Sequence, residues 1–347
     1  VYDMIGRWDV QDKYTLSLND ECHFMTRSDF NGDFEHEFNA AKKEYFFTAT
    51  AAFSDNEKGV GMNNDGNFGE EIHVLSIAEA IKADMILKVQ PKAITCDTVD
   101  DLDADDIIFK FVLQAMIALK DHNKKMAPKL LVATKGKEQL LTLIDWLNDG
   151  GREELEREVG RTVRVLTVHS DDAATTVDGV RVSRQECDTQ RNVIGGNPKE
   201  AMIIAHYDIL SEGIDIAGLN GALIMRNMKE SKFLQTVGRI VRTVKVNGQA
   251  DLKTKPNGLL MIPTISKENA DAKSNFVQIL KKIKKWGYCP TDQILELIAV
   301  GRQDELEEFE GTVTSSISNA LAVEAELFVE DIADFNWSGG FDTCAAI

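Results

Sequence analysis

No stretch of this 347-residue chain approaches the ~18 consecutive apolar residues that span a bilayer, so no transmembrane helix is read from it. Its opening, VYDMIGRWDV, has neither the basic nor the apolar segment of a secretory signal. An initiator Met is missing too, and the chain is expected to begin inside a longer polypeptide. Cysteine is sparse: Cys22, Cys96, Cys187, Cys289 and Cys344 are odd in number and scattered, with no C-x-x-C pair and no histidine at ligand spacing. That argues against a disulfide framework or a zinc ribbon, and free thiols in a reducing cytoplasm are expected. Internal repeats and long low-complexity segments are also missing.

A formal net charge of −18 leaves the chain without the basic field of a nucleic-acid coat protein. The balance is uneven, however. Between Arg226 and Lys255 eight Lys/Arg stand against two acids, Glu230 and Asp251, and KKIKK fills 281–285. Acids gather elsewhere, in DTVDDLDADD (97–106) and DELEEFE (304–310). A cationic patch on an acidic body suits an enzyme that grips a polyanion at one place, and equally an ordinary solvated face.

What is present is an alternation of short β-rich runs with amphipathic stretches. Strands are expected at 44–50, 71–77, 129–134, 162–169, 201–206, 221–225 and 258–263, and helices at 107–120 and 137–148. Alternation of this kind implies βαβ units around parallel sheets, with functional loops at the carboxyl ends of the strands. The acidic, proline-containing segment around 91–105 is read as the domain boundary. From Ser266 the pattern turns helical, as in KSNFVQILKKIKKWG (273–287), and then fades into an acidic, polar tail.

Four short motifs carry chemistry. After the run YTLSLN comes 20-DECH-23, where adjacent carboxylates at a strand end can hold a hydrated Mg²⁺ and orient an attacking water. Adjacent acids are also common on surfaces. In 46-FFTATAAF-53, Thr48 and Thr50 end an apolar strand, where their hydroxyls can bond His23 or simply serve β propensity. In 211-SEGIDI-216, Gly213 permits close backbone approach to a ligand, with Asp215 within reach. Finally, 234-LQTVGRIVRT-243 places Arg239 and Arg242 three apart, on one helix face, opposite Leu234, Val237 and Val241. Guanidinium forks match phosphate oxygens, and Gly238 is expected to let this helix approach its neighbour closely.

Taken in order, DECH, TAT, SEGIDI and Q-x-x-G-R-x-x-R resemble motifs II, III, V and VI of superfamily 2 helicases, the DEAD/DEAH-like group built from two RecA-like domains. The resemblance runs from about Tyr14 to Thr243. Residues 67–86 resemble the segment after motif III in restriction-enzyme-type members, and 129-KLLVATKGKEQ-139 resembles motif IV. The resemblance implies an α/β fold of tandem RecA-like parallel-sheet domains, the first incomplete, with a helical carboxyl-terminal extension. The expected domains are 1–95 (motifs II and III), 96–265 (motifs IV, V and VI) and 266–347.

It further implies an ATP-dependent DNA helicase or translocase using ATP and Mg²⁺. Asp20 becomes the metal partner, with Glu21 beside it on the metal and as the water-activating base. His23, Thr48 and Thr50 couple nucleotide state to nucleic-acid contact. Gly213 and Asp215 bridge nucleotide and strand track, while Gln235, Arg239 and Arg242 face the γ-phosphate. Thr134, Lys135 and Tyr207 contact nucleic acid, Tyr207 standing where many relatives carry a Thr; it is expected to pack or to stack on a base. The expected location is the cytoplasm (a host's, if viral), with DNA preferred over RNA as partner. The acidic carboxyl-terminal region either covers the second domain or meets a protein partner.

The family's phosphate loop, G-x-x-x-x-G-K-[ST], is absent from these 347 residues: the one Gly-Lys pair, Gly136-Lys137, has no glycine five positions earlier and is followed by Glu138. The chain alone is therefore expected not to hydrolyse ATP efficiently. The alternative is a non-catalytic nucleic-acid-binding module, against which the presence of Asp20, Glu21, Arg239 and Arg242 speaks. No P-D…(D/E)-x-K arrangement follows Ser266, so no nuclease is read from the chain.

Overall fold

Central strands of a parallel sheet are buried on both faces and so read as unbroken apolar runs rather than alternating ones. KLLVA, AMIIAH and GALI are such runs, and they form the middle of an eight-stranded sheet. The computed structural model describes residues 15–20, 22, 43–48, 62, 68–96, 107–169, 175–207, 216–246, 249–265, 279, 282–283 and 285–288. The chain divides into two compact units, Val1–Val74 and Leu75–Ala346.

In the first unit, β1 (Ser17–Asn19) pairs in parallel with β2 (Glu44–Phe46), Leu18 opposite Tyr45. Side chains alternate along each strand, so Leu16, Leu18, Tyr45 and Phe47 share one face, and all four are exposed. On the other face Phe46 meets Phe68 edge-on at 5.3 Å.

The second unit begins with α1 (Ile77–Lys82), opened by a capping box between Ser76 and Glu79. Then follow β3 (Lys88–Cys96), α2 (Ile108–His122), β4 (Lys129–Ala133), α3 (Lys137–Trp146), α4 (Arg152–Val159), β5 (Val163–Val168) and the short pair β6 (Thr176–Val177) and β7 (Val180–Arg181). After α5 (Arg184–Gly196) come β8 (Ala201–His206), β9 (Gly221–Ile224), α6 (Glu230–Ile240), a small hairpin of β10 (Lys245–Val246) and β11 (Gln249–Ala250), and β12 (Asn257–Ile265). The sheet order is β3-β12-β9-β4-β8-β5-β6-β7, parallel from β3 through β5. Alternation splits each strand between two cores. Leu131, Ile204 and Ile224 pack with Phe233 and Val237 of α6 and Ile194 of α5. Leu130, Ile203 and Leu223 pack with Phe111 and Leu119 of α2, Leu143 of α3 and Leu155 of α4. The result is a doubly wound three-layer α/β domain.

Two expectations fail here. The run at 71–77 alternates like a strand but has no strand partner among the described residues; 69–76 is irregular, with Ile72 77% exposed. Residues 88–96 instead form a strand that pairs with β12 along its whole length, so they lie with the second sheet and not at the end of a first domain closing at 95. Pro91 is compatible with that strand because β3 is the sheet edge, where no second partner needs its missing N–H. Described residues between 279 and 288 pack against this unit. Ile279, Ile283 and Tyr288 are in its core, and the Tyr288 carbonyl accepts from Val89 N at 3.2 Å. Burial pushes the Tyr288 phenol up to about 12.

The β6–β7 turn depends on Asp178 and Gly179, both at positive φ. The Asp178 carboxylate accepts from Arg152 Nη1 (3.0 Å), Arg164 Nε (2.6 Å) and Val165 N (2.9 Å). Asp178→Ala removes all three bonds and puts a residue without a local polar side chain in the left-handed region. A loss of about 2–3 kcal/mol in urea unfolding is expected, with Asp178→Asn retaining part of it.

Buried Lys129 closes α5 from below: its Nζ donates to the carbonyls of Ile194 (3.1 Å), Gly195 and Asn197 (3.0 Å), satisfying a helix end. Burial lowers its ammonium to about 8, against the upward pull of Glu200. Because the folded value lies below the unfolded one, the unfolded chain binds more protons between about pH 8 and 10.5, and this group's contribution to stability rises with pH there. Wild type should therefore gain stability relative to Lys129→Met, on the order of 1 kcal/mol, between about pH 8 and 9.5. Chemical denaturation of both proteins at the two values measures it.

Candidate functional site

In the first unit the carboxyl ends of β1 and β2 are tied together. Phe47 N donates to Asn19 O (2.8 Å) and Cys22 N to Phe47 O (3.0 Å). Exposed Asp20 and half-buried Thr48 therefore sit at neighbouring strand ends, as loops serving one ligand should in a parallel sheet. Glu21, His23 and Thr50 lie outside the described residues, as do Gly213 and Asp215. No group of three or more metal-ligating side chains occurs among the described residues.

The two arginines of 234-LQTVGRIVRT-243 do not share a helix face. α6 ends at Ile240, and Val241, its cap, has left the helical region in ψ. Arg242 enters an antiparallel bridge with Ile86, and Leu87 N donates to Val241 O (2.7 Å). Arg242 is exposed, whereas Arg239 is 4% exposed. Leu234, Val237 and Val241 are buried as expected. Gln235 is half-buried on the same helix, and its Oε1 accepts no hydrogen bond from any described residue. A Cβ on Gly238 would meet no described atom within 4 Å, so no described residue makes the close approach expected there. It occurs at Gly258, where a Cβ would stand 2.5 Å from the Ile240 carbonyl oxygen and so hold off the end of α6.

Buried Lys255, read in the sequence only as the end of the basic stretch, donates from Nζ to Arg242 O (2.8 Å) and to Leu219 O (2.7 Å). One ammonium thereby joins the chain just after the SEGIDI segment to the end of the Q-x-x-G-R-x-x-R segment. At the other end of α6, Lys282 donates to Asn227 Oδ1 (2.7 Å) and to the Met228 carbonyl, so KKIKK is not wholly a free solvated patch.

Neighbouring strands β9, β4, β8 and β5 deliver a row of side chains at the carboxyl edge of the large sheet: Arg226, Thr134 with Lys135, Tyr207 and His169. Thr134 is fully buried, its hydroxyl donating to His206 O (3.1 Å) and Gly136 O (3.2 Å), so it shapes the loop and offers no surface to a ligand. Lys135 is exposed. The Arg226 guanidinium lies 4.7 Å from the Tyr207 ring centroid, and the His169 ring lies 6.1 Å from it at 18°. The sequence reads Arg226 only as the start of the basic stretch and His169 only as the end of a strand, because the strand order alone brings them beside Tyr207. The usable signal was that each follows an apolar run directly.

No family model and no curated protein matches this sequence. Solved structures do. An ATP-dependent type ISP restriction-modification enzyme, LlaBIII, solved bound to DNA, matches with a TM-score of 0.53 and 15% identity over 82% of this chain and 21% of that one. A fragment named for the HsdR subunit of a type I restriction enzyme from Vibrio vulnificus YJ016 gives 0.49 and 17% over 75% and 45%. S. cerevisiae Dbp5, solved with RNA and ADP BeF3, gives 0.44 and 16% over 87% and 66%. The chain spans about a fifth of the first of these and under half of the second. At these identities the likeness is one of fold.

Proposed function

From the premise that this chain has the RecA-like fold of superfamily 2 helicases, we propose that it is the nucleic-acid-gripping portion of an ATP-driven DNA translocase. The observation that carries this reading is the row Arg226, Lys135, Tyr207 and His169 on the carboxyl ends of four adjacent strands. Two cations followed by two aromatic rings along one edge combine the backbone charge and the stacking faces that a single-strand track uses. The placement of Asp20 beside Thr48 supports the nucleotide half of the reading. In that role Asp20 and Glu21 would hold Mg²⁺, which screens phosphate charge, while Gln235, Arg239 and Arg242 meet the terminal phosphate. Arg242, being exposed, can reach a ligand as it stands; buried Arg239 requires a rearrangement or acts through its neighbours. DNA is preferred on the restriction-type character of residues 67–86 and on the DNA-bound type ISP enzyme of like fold. A second reading, binding without hydrolysis, is favoured by one observation, the missing phosphate loop.

Fluorescence anisotropy with single-stranded DNA of about 20 nucleotides tests the reading. Affinity should fall steeply with salt. Lys135→Ala and Arg226→Ala should each weaken binding and flatten the log–log salt slope by about 0.7 for each phosphate no longer neutralised. Absent or salt-independent binding by the wild-type chain overturns it.

A further inference from the structure

Tyr207 is half-buried, yet it belongs to neither hydrophobic core. The residues that hold the sheet together there, Ile204 and Ala205, precede it on β8. Beside it stand two further planar groups from different strands, the His169 imidazole at 6.1 Å and the Arg226 guanidinium at 4.7 Å. Bringing them there restricts side-chain freedom at a partly wet strand edge and fills no core volume. Were the edge built only to meet phosphates, cations such as Lys135 would suffice, and a near-parallel imidazole and phenol would add nothing.

We infer that the His169–Tyr207–Arg226 cluster is a stacking platform for an unpaired nucleobase, so that the substrate gripped by this edge is a single strand or a locally opened one. The inference rests on the nucleic-acid reading above and deepens it. Aromatic rings and guanidinium planes both stack on bases, and every base offers a π face, so such a platform is sequence-tolerant. A base within a duplex is already stacked on its neighbours and is withheld from it. Stacking of this kind is worth about 1–3 kcal/mol per base, or roughly 5- to 150-fold in affinity.

The test compares the wild-type chain on three labelled probes of equal length: oligothymidylate, the same backbone with every base replaced by an abasic tetrahydrofuran, and a blunt duplex. Oligothymidylate should bind at least about fivefold tighter than the abasic strand, and also tighter than the duplex. Tyr207→Ala should bring oligothymidylate down to the abasic level, Tyr207→Phe should restore the difference, and Lys135→Ala should weaken both single strands alike. Equal affinity of the wild type for the thymidylate and abasic strands overturns the platform while leaving backbone gripping intact. Binding to none of the three overturns the nucleic-acid reading and the platform with it. The comparison on wild type does not depend on any variant folding.

Discussion

Lys255→Met should cost this protein about 4 kcal/mol of stability. The side chain is 2% exposed, and its ammonium serves two backbone carbonyls, Leu219 O and Arg242 O. Methionine fills nearly the same volume, so the loss is not that of a cavity. What it leaves is one buried acceptor, Leu219 O, and one partly buried acceptor, Arg242 O, without their donor, at about 1–3 kcal/mol each. For a unit of this size that is a fall in melting temperature of roughly 8–16 °C. The damage should also be local. Amides near Ile216–Leu219 and Val241–Thr243 should gain hydrogen exchange first, since these are the segments the cation joins, while the centre of β4 stays protected. Lys253→Met, an exposed change two residues away, is the control and should stay within about 0.5 kcal/mol. A Lys255→Met protein as stable as the control would show that the two carbonyls find other donors.

The second large effect is on chemistry. ATP turnover by this chain, with or without single-stranded DNA, should be at least a thousandfold below the ~10 s⁻¹ of a typical enzyme. Phosphoryl transfer is catalysed by positioning and charge, and its usual cradle is a glycine-rich backbone loop whose lysine reaches the β- and γ-phosphates. No such loop occurs in these 347 residues. On the proposed reading, a nucleotide would then find no glycine-rich loop of this sequence to cradle its phosphates. Accordingly Arg242→Ala and Asp20→Asn should leave phosphate release unchanged. DNA-stimulated turnover by the unaltered chain, abolished by Asp20→Asn, would mean that another segment cradles the phosphates.

The layers of the second unit were legible in sequence because burial on both sides leaves its mark in composition. KLLVA, AMIIAH and GALI are apolar throughout, and α2 carries its stripe. β3 was not legible for the complementary reason. As an edge strand it keeps Lys88, Gln90 and Lys92 exposed and tolerates Pro91, so it reads as linker. The run at 71–77 misled in the opposite direction: alternation is a necessary mark of a half-buried strand, but it supplies no partner. The Q-x-x-G-R-x-x-R segment was legible as a segment, and its geometry was not. The i, i+3 spacing of Arg239 and Arg242 implies one face only if the helix continues, and the bridge from Arg242 to Ile86 ends it. Lys255, His169 and Arg226 owe their roles to neighbours tens of residues away, which no local pattern records.

Neither edge of the large sheet offers another copy of this chain much backbone to pair with. At one side Pro91 has no N–H to offer, Val89 N already donates to Tyr288 O, and exposed lysines flank both. The other side ends in β7, two residues long and bound to a tight turn. An extended segment from another molecule therefore finds little backbone to zip onto at either edge. Self-association at high concentration should run instead through the bare apolar side chains of Leu16, Leu18, Tyr45 and Phe47. Precipitates should then be amorphous and detergent-soluble, without the thioflavin response of cross-β fibrils.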